Sequence, residues 1–122
     1  MYIENDNQLN SFHQEFVIMK KLESPYTVHL LDMLTDLENN CFFLVMNFEE
    51  NGNIEDFITN NPNMNDSQII GMFIQILQGL IYLKENKIIH GDLKPQNILL
   101  SSSNALKLAD FGLSTRLQRS RI

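Results

Sequence analysis

The sequence predicts an α+β fold, and three patterns in it carry that prediction. Apolar residues recur at helical spacing in two segments, two apolar runs flank a polar turn in the first half, and two shorter runs flank residues 101–104 near the end. Apolar residues make up 43% of the 122 residues, enough for a folded core and too many for a disordered chain. We therefore expect one domain, or part of one.

The first half of the chain predicts one helix and one strand pair. The helix covers residues 10–22, and Pro25 ends it because the residue before a proline avoids helical angles. The apolar runs 28–34 and 42–48, with turn residues between them, predict paired strands. Apolar residues three and four positions apart define the buried face of the helix: Leu9, Phe12, Phe16, Met19 and Leu22.

The second half predicts two more helices and a hairpin. A short helix is expected over residues 54–59, and Asn65 with Gln68 three residues later forms a capping-box pattern that opens a long one. That long helix is expected to end near Asn86, and its apolar stripe, Phe73 included, is predicted to be core. The stripe comprises Ile69, Phe73, Ile76, Leu77, Leu80 and Leu83. Beyond it, strand-sized runs at 88–89, 98–100 and 105–108 follow, the last two as a hairpin.

Composition excludes several classes of protein. The net charge of −6 argues against a general nucleic-acid binder, which needs a basic surface. Cys41, the one cysteine, permits no internal disulfide and no cysteine metal site, and a buried thiol fits an intracellular, cytoplasmic location. The polar N-terminus is unlike a signal peptide, and there is no run of 18 apolar residues, so we expect no membrane span.

Two acidic clusters carry the candidate chemistry. The first is His-Gly-Asp-Leu-Lys-Pro-Gln-Asn at residues 90–97, and the second is Asp-Phe-Gly at residues 110–112. The hairpin between them can fold back and bring Asn97 and Asp110 together, where their oxygens suit Mg²⁺. Asp92 could then accept a proton from a hydroxyl, and Lys94 could offer a positive charge to a phosphate. Those parts suit phosphoryl transfer, which needs an aligned nucleophile and neutralised charge.

The two motifs, in this order and at this spacing, resemble the catalytic loop and the Asp-Phe-Gly motif of eukaryotic protein kinases. The Asp-Leu-Lys-Pro-x-Asn form is most similar to serine/threonine kinases. The resemblance implies part of a two-lobe kinase fold, with residues 1–48 from the small lobe and hinge and 49–122 from the large lobe. It also implies ATP and Mg²⁺ as cofactors and a protein serine or threonine hydroxyl as substrate. The implied roles are base for Asp92, phosphate contact for Lys94, and metal ligands for Asn97 and Asp110.

The resemblance extends upstream of the catalytic loop. Glu15 matches the glutamate of the family's αC helix, and Met46 matches the gatekeeper before the hinge. The backbone of Asn47 and Glu49 would then meet the adenine edge. Asn53 matches a ribose contact, and Leu99 matches the residue beneath the adenine ring. The family's stacked apolar column, the regulatory spine, matches Met19, Leu30, His90 and Phe111.

Four features depart from the family pattern. The first glycine is Gly52, so no glycine-rich phosphate loop precedes it, and no lysine precedes Lys20 to pair with Glu15. Only ten residues follow Gly112, which leaves out the later activation segment. Gly91 stands where the family has arginine, and it offers no charge to a phosphorylated activation segment. Ser114, Thr115 and Ser120 are the candidate phosphate acceptors in that segment.

These departures predict a fragment truncated at both ends, marginally stable and with negligible phosphoryl transfer alone. Two further interpretations stay open. One is a pseudokinase-like, non-catalytic interaction module, which the missing lysine favours and the intact Asp92, Asn97 and Asp110 oppose. The other is an unrelated α+β binding protein, in which Asp110 is a simple turn former and Asn97 only ties its own loop together.

Overall fold

Helices and short antiparallel strand pairs alternate along the chain, as predicted. The structure is a computed structural model, and it describes residues 4–116. A single 3₁₀ turn, Pro95–Asn97, precedes the second hairpin. The helices are α1 (Asp6–Lys21), α2 (Ile54–Asn60) and α3 (Asp66–Glu85), and the strands are β1 (Leu30–Asp36), β2 (Cys41–Met46), β3 (Ile88–Ile89), β4 (Ile98–Leu100), β5 (Leu106–Leu108) and β6 (Thr115–Arg116).

Helix α1 begins four residues before its predicted start because Asn5 caps it. The Asn5 side chain accepts a hydrogen bond from the backbone amide of Gln8 at 3.0 Å. Such a cap satisfies one of the amides that a helix start leaves unpaired. On the inner face Phe12, Ile18 and Met19 are buried. The ring of Phe12 lies 5.3 Å from that of Phe42, which joins α1 to β2.

Strands β1 and β2 form the predicted antiparallel pair, with a bulge between Leu30 and Asp32. The first strand begins two residues later than predicted. Val28 donates its amide to the carbonyl of Leu108 at 3.0 Å, and the amide of Leu108 donates to Tyr26 at 2.8 Å. The chain before β1 is therefore paired with β5, which attaches the β1–β2 pair to the second hairpin.

Helix α3 starts with the predicted capping box, in which the side chains of Asn65 and Gln68 each bond the other's backbone amide. The prediction that its whole apolar stripe is core is wrong for the described residues, because Phe73 is 59% exposed. The face that packs inward is the one around Gly79, where a Cβ would lie 2.9 Å from Leu108 Cδ1. The absence of a side chain at Gly79 lets β5 approach, so Leu83 and its neighbours are covered and the Phe73 side is not.

By length and composition, α3 is the one helix within residues 4–116 that could cross a membrane. Core helices of soluble domains pass the same test. In this structure, α3 contributes Leu83 to the core. The Gln75 side chain also accepts the amide of Leu106 at 2.8 Å. One face of α3 therefore packs on the domain, while other apolar side chains along it, such as Ile70 and Phe73, are exposed.

The core lies where α1, α3 and the β4–β5 hairpin meet, directly behind the two motifs. Phe111, the residue after Asp110, is completely buried there. Leu30 of β1 is partly buried against the same cluster. The other large, fully buried side chains come from all three elements: Met19, Leu22, Leu83, Leu100, Leu106 and Leu108.

Candidate active site

The β4–β5 hairpin doubles back and brings the two motifs to one end, as predicted. Ile98 pairs with Leu108 in its antiparallel register. Just beyond the last pair, the amide of Ala109 donates to the carbonyl of Asn97 at 2.9 Å. Since Ala109 immediately precedes Asp110, this bond holds the start of the second motif against the end of the first.

Asp92, Lys94 and Asn97 contact one another on the loop. The Asn97 side-chain amide donates to the Asp92 carbonyl at 2.9 Å and to Asp92 Oδ2 at 3.2 Å. Both acceptors are oxygens, so the Asn97 NH₂ group points at Asp92 and its Oδ1 is the atom left for a cation. Lys94 Nζ lies 3.6 Å from Asp92 Oδ2, and its side chain is 51% exposed, which makes this a weak, solvated ion pair.

His90 bridges the two motifs through both ring nitrogens. Nε2 lies 2.6 Å from the carbonyl oxygen of Ala109, and Nδ1 lies 3.1 Å from the amide nitrogen of Asp92. A carbonyl only accepts and an amide only donates, so the hydrogen sits on Nε2 and Nδ1 accepts. The buried imidazole also stacks on Phe111, with ring centres 5.0 Å apart. The loop aspartate and the residue before Asp110 are thus joined through one side chain.

Asp110 adopts a left-handed backbone conformation with φ of 58°. Its Oδ1 accepts the amide of Gly112 at 3.2 Å, a local bond that favours Asp at such a position. Glu15 on α1 lies nearby, since a Cβ built on Gly112 would be 3.8 Å from Glu15 Oε2. Burial, and secondarily the negative charge of Asp110, raise the pKa of Glu15. A carboxylate whose ionisation is opposed by burial and by a neighbouring negative charge is stabilised by a cation beside it.

No group of three or more His, Cys, Asp or Glu side chains with metal-site geometry occurs among residues 4–116. A cation held by Asn97 and Asp110 would therefore take its remaining ligands from water and substrate oxygens. That is the usual coordination of Mg²⁺, which binds one or two carboxylates and keeps several waters. The two residues thus fit a weakly held Mg²⁺ that arrives with phosphate, and their role as ligands stays a prediction.

The predicted hinge residues follow β2. Met46 is the last residue of the strand and is 42% exposed. Asn47 donates its amide to the carbonyl of His29 at 3.3 Å, and Glu49 accepts the amide of Gly52 at 3.2 Å. Of the backbone hydrogen bonds within residues 4–116, none outside the strand ladders uses the Asn47 carbonyl or the Glu49 amide. Glu49 is buried, at 8% exposure, and contact of these two groups with an adenine edge stays a prediction.

Asn53 and Leu99 lie side by side, because an isolated antiparallel bridge joins their backbones. Leu99 is half-buried between the buried Ile98 and Leu100, so it faces the other side of β4. The Asn53 side chain accepts the amide of Asp56 at 2.9 Å and caps α2. A ribose hydroxyl that bound Asn53 would share this side chain with the helix cap. The ribose contact of Asn53 stays a prediction.

The predicted apolar column is partly assembled. Met19 and Phe111 are both buried in the same core cluster, with Leu30 against its edge. The His90 ring contacts that of Phe111, with ring centres 5.0 Å apart and the two planes tilted by 60°. The four residues come from α1, β1, the loop and the second motif.

Comparison with known proteins decides the family. The family model for the protein kinase domain matches residues 2–121. The chain belongs to the protein kinase domain family. It is 38% identical over 112 residues to a calcium/calmodulin-dependent protein kinase kinase of Caenorhabditis elegans, across 92% of this chain and 20% of the relative. It is 33% identical over 112 residues to NUAK family SNF1-like kinase 2 of Rattus norvegicus, across 92% of this chain and 18% of that protein.

The predicted kinase fold is therefore confirmed, and the chain spans about a fifth of the length of these two relatives. The division at residues 48 and 49 stays a prediction. Sequence reasoning missed three features of this kinase domain. Gln14 donates its side chain to the Ser114 carbonyl at 3.2 Å, strand β6 pairs with β3, and Ser114 is buried instead of available as a phosphate acceptor. Contacts between residues a hundred positions apart leave no local signal.

Proposed function

We propose that this chain supplies the catalytic loop and metal-binding residues of a serine/threonine protein kinase, which transfers a phosphoryl group from Mg-ATP to a protein hydroxyl. One observation carries the proposal. A folded-back hairpin and a bridging imidazole hold Asp92 and Asn97 against the residue before Asp110. The family's use of ATP and Mg²⁺ and the protein-kinase relatives support it.

Asp92 would align the substrate hydroxyl and accept its proton. Its Oδ2 already accepts from Asn97 and lies near Lys94, so Oδ1 is the oxygen available to the hydroxyl. A base must lie within hydrogen-bond reach of the proton that it takes, and the backbone of Asp92 is held by the hydrogen bond that its amide donates to His90 Nδ1.

Lys94 would leave its loose pair with Asp92 and neutralise phosphate charge. Its half-exposed side chain is long enough to move, and the pair that it gives up is weak. Asn97 Oδ1 and the Asp110 carboxylate would hold the metal, which supplies charge neutralisation on the phosphates. Glu15, beside Asp110, would accept a cationic group of the nucleotide site.

Metal binding tests the site without requiring turnover. Mn²⁺ replaces Mg²⁺ at oxygen ligands and broadens nearby nuclear resonances. With Mn²⁺ and ADP, we expect broadening of the Asn97 side-chain amide and of the Phe111 and Gly112 backbone amides. Asp110→Asn should remove most of it, and Asp66→Asn, in the exposed first turn of α3, should not. Equal broadening in both variants would contradict the proposal.

Transfer of radiolabelled phosphate from ATP to a serine/threonine peptide mixture tests the reaction class. Where transfer by a polypeptide containing this chain is measurable, Asp92→Asn should lower its rate by roughly 10²–10⁴, the usual contribution of a positioned base. A rate unchanged by Asp92→Asn would exclude this residue as the base. Nucleotide binding with no transfer in such a polypeptide would instead favour the non-catalytic interaction module.

We also propose that the protein acts inside the cell. The buried, unpaired thiol of Cys41 supports this, since reducing compartments preserve free cysteines.

A further inference from the structure

The connector between the predicted hinge and α2 (residues 49–53) runs along β4. The amide of Asn51 donates to the carbonyl of Leu100 at 3.1 Å, and the amide of Leu100 donates to the residue after Asn51 at 2.8 Å. An antiparallel bridge between Asn53 and Leu99 continues this pairing. The connector is therefore attached to the β4–β5 hairpin, whose open end joins the two motifs.

The Asn51 side chain extends this attachment to the tip of the hairpin. Its NH₂ group donates to the carbonyl of Ser101 at 2.9 Å and to Asn104 Oδ1 at 2.9 Å. Because a carbonyl only accepts, the Ser101 contact fixes which end of the Asn51 amide is the nitrogen. The side chain therefore donates both of its hydrogens to the hairpin tip, in addition to the backbone bond.

The tip of the hairpin is closed by its own hydrogen bonds. The Asn104 amide donates to the Ser101 carbonyl at 2.9 Å, and the Ser101 amide donates to the Ala105 carbonyl at 3.0 Å. The Ala105 amide donates to Ser101 Oγ at 3.1 Å. Asn104 has a φ of 61°, a left-handed conformation that asparagine tolerates. These bonds hold both acceptors of the Asn51 side chain in place.

The connector and the hairpin carry opposite ends of the proposed nucleotide site. The predicted adenine contacts, Asn47 and Glu49, lie just before and at the start of the connector. The predicted metal ligands, Asn97 and Asp110, follow the open end of the hairpin. A nucleotide that binds through its base and its phosphates must meet both ends at once. A site whose ends are already held in register loses less free energy to ordering when the nucleotide binds.

We propose that Asn51 is a positioning residue: with Ser101 and Asn104 it forms a clasp that fixes the adenine end of the site relative to the metal end. In this role Asn51 touches no nucleotide atom and acts through the hairpin. The positioning role rests on the proposed kinase function, whereas the clasp is a property of the unliganded chain.

Amide hydrogen exchange in the full chain, without nucleotide or metal, tests the clasp. Asn51 is exposed, so Asn51→Ala removes its side-chain bonds without removing core packing. It should speed exchange of the Leu100 amide by roughly three- to tenfold, the usual worth of uncharged hydrogen bonds. The Leu108 amide, which donates to Tyr26, is the internal reference and should change by less than about twofold. Equal acceleration of both amides would assign Asn51 to general stability and overturn the proposal.

Asn104→Gly isolates the contact between the two asparagines. It removes one acceptor, and glycine keeps the left-handed backbone of residue 104. In this background, the acceleration of Leu100 exchange by Asn51→Ala should be at least about twofold smaller, because residues in contact are energetically coupled. An acceleration of the same size in both backgrounds would overturn the clasp.

Titrations with Mn²⁺-ADP and with Mn²⁺-pyrophosphate, followed by broadening of the Asn97 side-chain amide, test the positioning role. ADP meets both ends of the site, whereas pyrophosphate reaches only the metal end. Asn51→Ala should weaken ADP binding by roughly three- to tenfold and leave pyrophosphate binding within about twofold. Asn39→Ala, which removes an exposed side-chain bond to Asp36 in the β1–β2 turn, is the matched control and should change neither affinity.

The two readouts separate the two proposals. If Asn51→Ala weakens both probes equally, or neither, the positioning role is overturned while the kinase function stands. If the exchange data show the clasp but the unmodified chain binds no Mn²⁺-ADP, the kinase function is refuted and the clasp is supported.

Discussion

Residues 88–116 have little regular secondary structure but well-buried side chains, whereas helix α3 is regular but has many exposed apolar side chains. The first region is mostly loop and two- or three-residue strands, yet Phe111, Leu100 and Leu108 within it are almost completely buried. Helix α3 is the longest regular element, with 20 residues, and large apolar side chains along it are exposed, Phe73 most of all at 59%. The irregular region is the well-packed one.

The difference follows from how each region is stabilised. In residues 88–116, the chain turns back on itself. The β4–β5 backbone pairs and the hydrogen bond from His90 to the Ala109 carbonyl hold the segments that surround Phe111. In α3, the backbone satisfies its own hydrogen bonds, and only the Gly79 and Leu83 face meets β5 and the core. A helix can therefore be well formed while half of its apolar stripe, Ile69, Phe73 and Leu77, stays exposed within residues 4–116.

The largest expected effect compares one phenylalanine from each region. Phe111→Ala should lower the free energy of unfolding by about 3–5 kcal/mol, because it removes a fully buried ring from a close-packed core. Phe73→Ala should change it by less than about 1 kcal/mol, since that ring is mostly in solvent. Urea unfolding followed by circular dichroism measures both. If both substitutions lowered the free energy of unfolding by comparable amounts, Phe73 would be buried in solution, and the two regions would not differ in packing.

A smaller effect concerns how α3 is held at its start. Asn65→Ala should cost about 1 kcal/mol of unfolding free energy, because it removes the side-chain oxygen that accepts the Gln68 amide. The bond that the backbone amide of residue 65 donates to Gln68 Oε1 is kept. Because Ile69, Ile70 and Phe73 near its start are exposed, the first turns of α3 have little packing that could replace this cap. Asn63→Ala, exposed in the preceding loop, is the control and should be near neutral. Equal costs would indicate that the cap contributes nothing specific.

The smallest effect depends on pH and lies at the border of the buried region. Burial and the Asp110 charge raise the pKa of Glu15, so folding opposes ionisation of this carboxylate. The resulting destabilisation is absent below the unfolded pKa of about 4.3 and complete above the raised pKa of the folded state. At pH 7, Glu15→Gln should therefore have its unfolding midpoint at a higher urea concentration than the unmodified chain. The difference between the two midpoints should vanish at about pH 3.5.

Glu50→Gln, at an exposed position before Gly52, is the matched control and should show no such pH-dependent gain. A Glu15→Gln variant less stable than the unmodified chain at pH 7 would mean that a cation already neutralises Glu15. Glu15 would then be an ion-paired carboxylate that stabilises the fold, and not one that its surroundings destabilise.

Much of the candidate site could be predicted because its signals are local. The motif at residues 90–97, the turn at 101–104 and Asp-Phe-Gly are close in sequence, so the hairpin between them brings Asn97 and Asp110 to one end. The capping box at Asn65 needed only four residues, and the structure has it. The sequence shows that Gly91 lacks the charge of the family's arginine, while its closeness to the Leu113 carbonyl is visible only in the tertiary structure.

By itself, the sequence determined the kinds of element, because periodicity is a property of neighbouring residues. It also determined the order of the two motifs and the candidate base and metal ligands, because hydrogen-bond capacity is a property of the residue type. The tertiary structure alone decided that Val28 pairs with β5, that Ser114 and Gln14 meet across the site, and that α3 turns Gly79 inward and Phe73 outward. Periodicity shows that a helix has an apolar face, but which part is covered depends on how closely another segment can approach. Here that segment is β5, and the residue that admits it has no side chain.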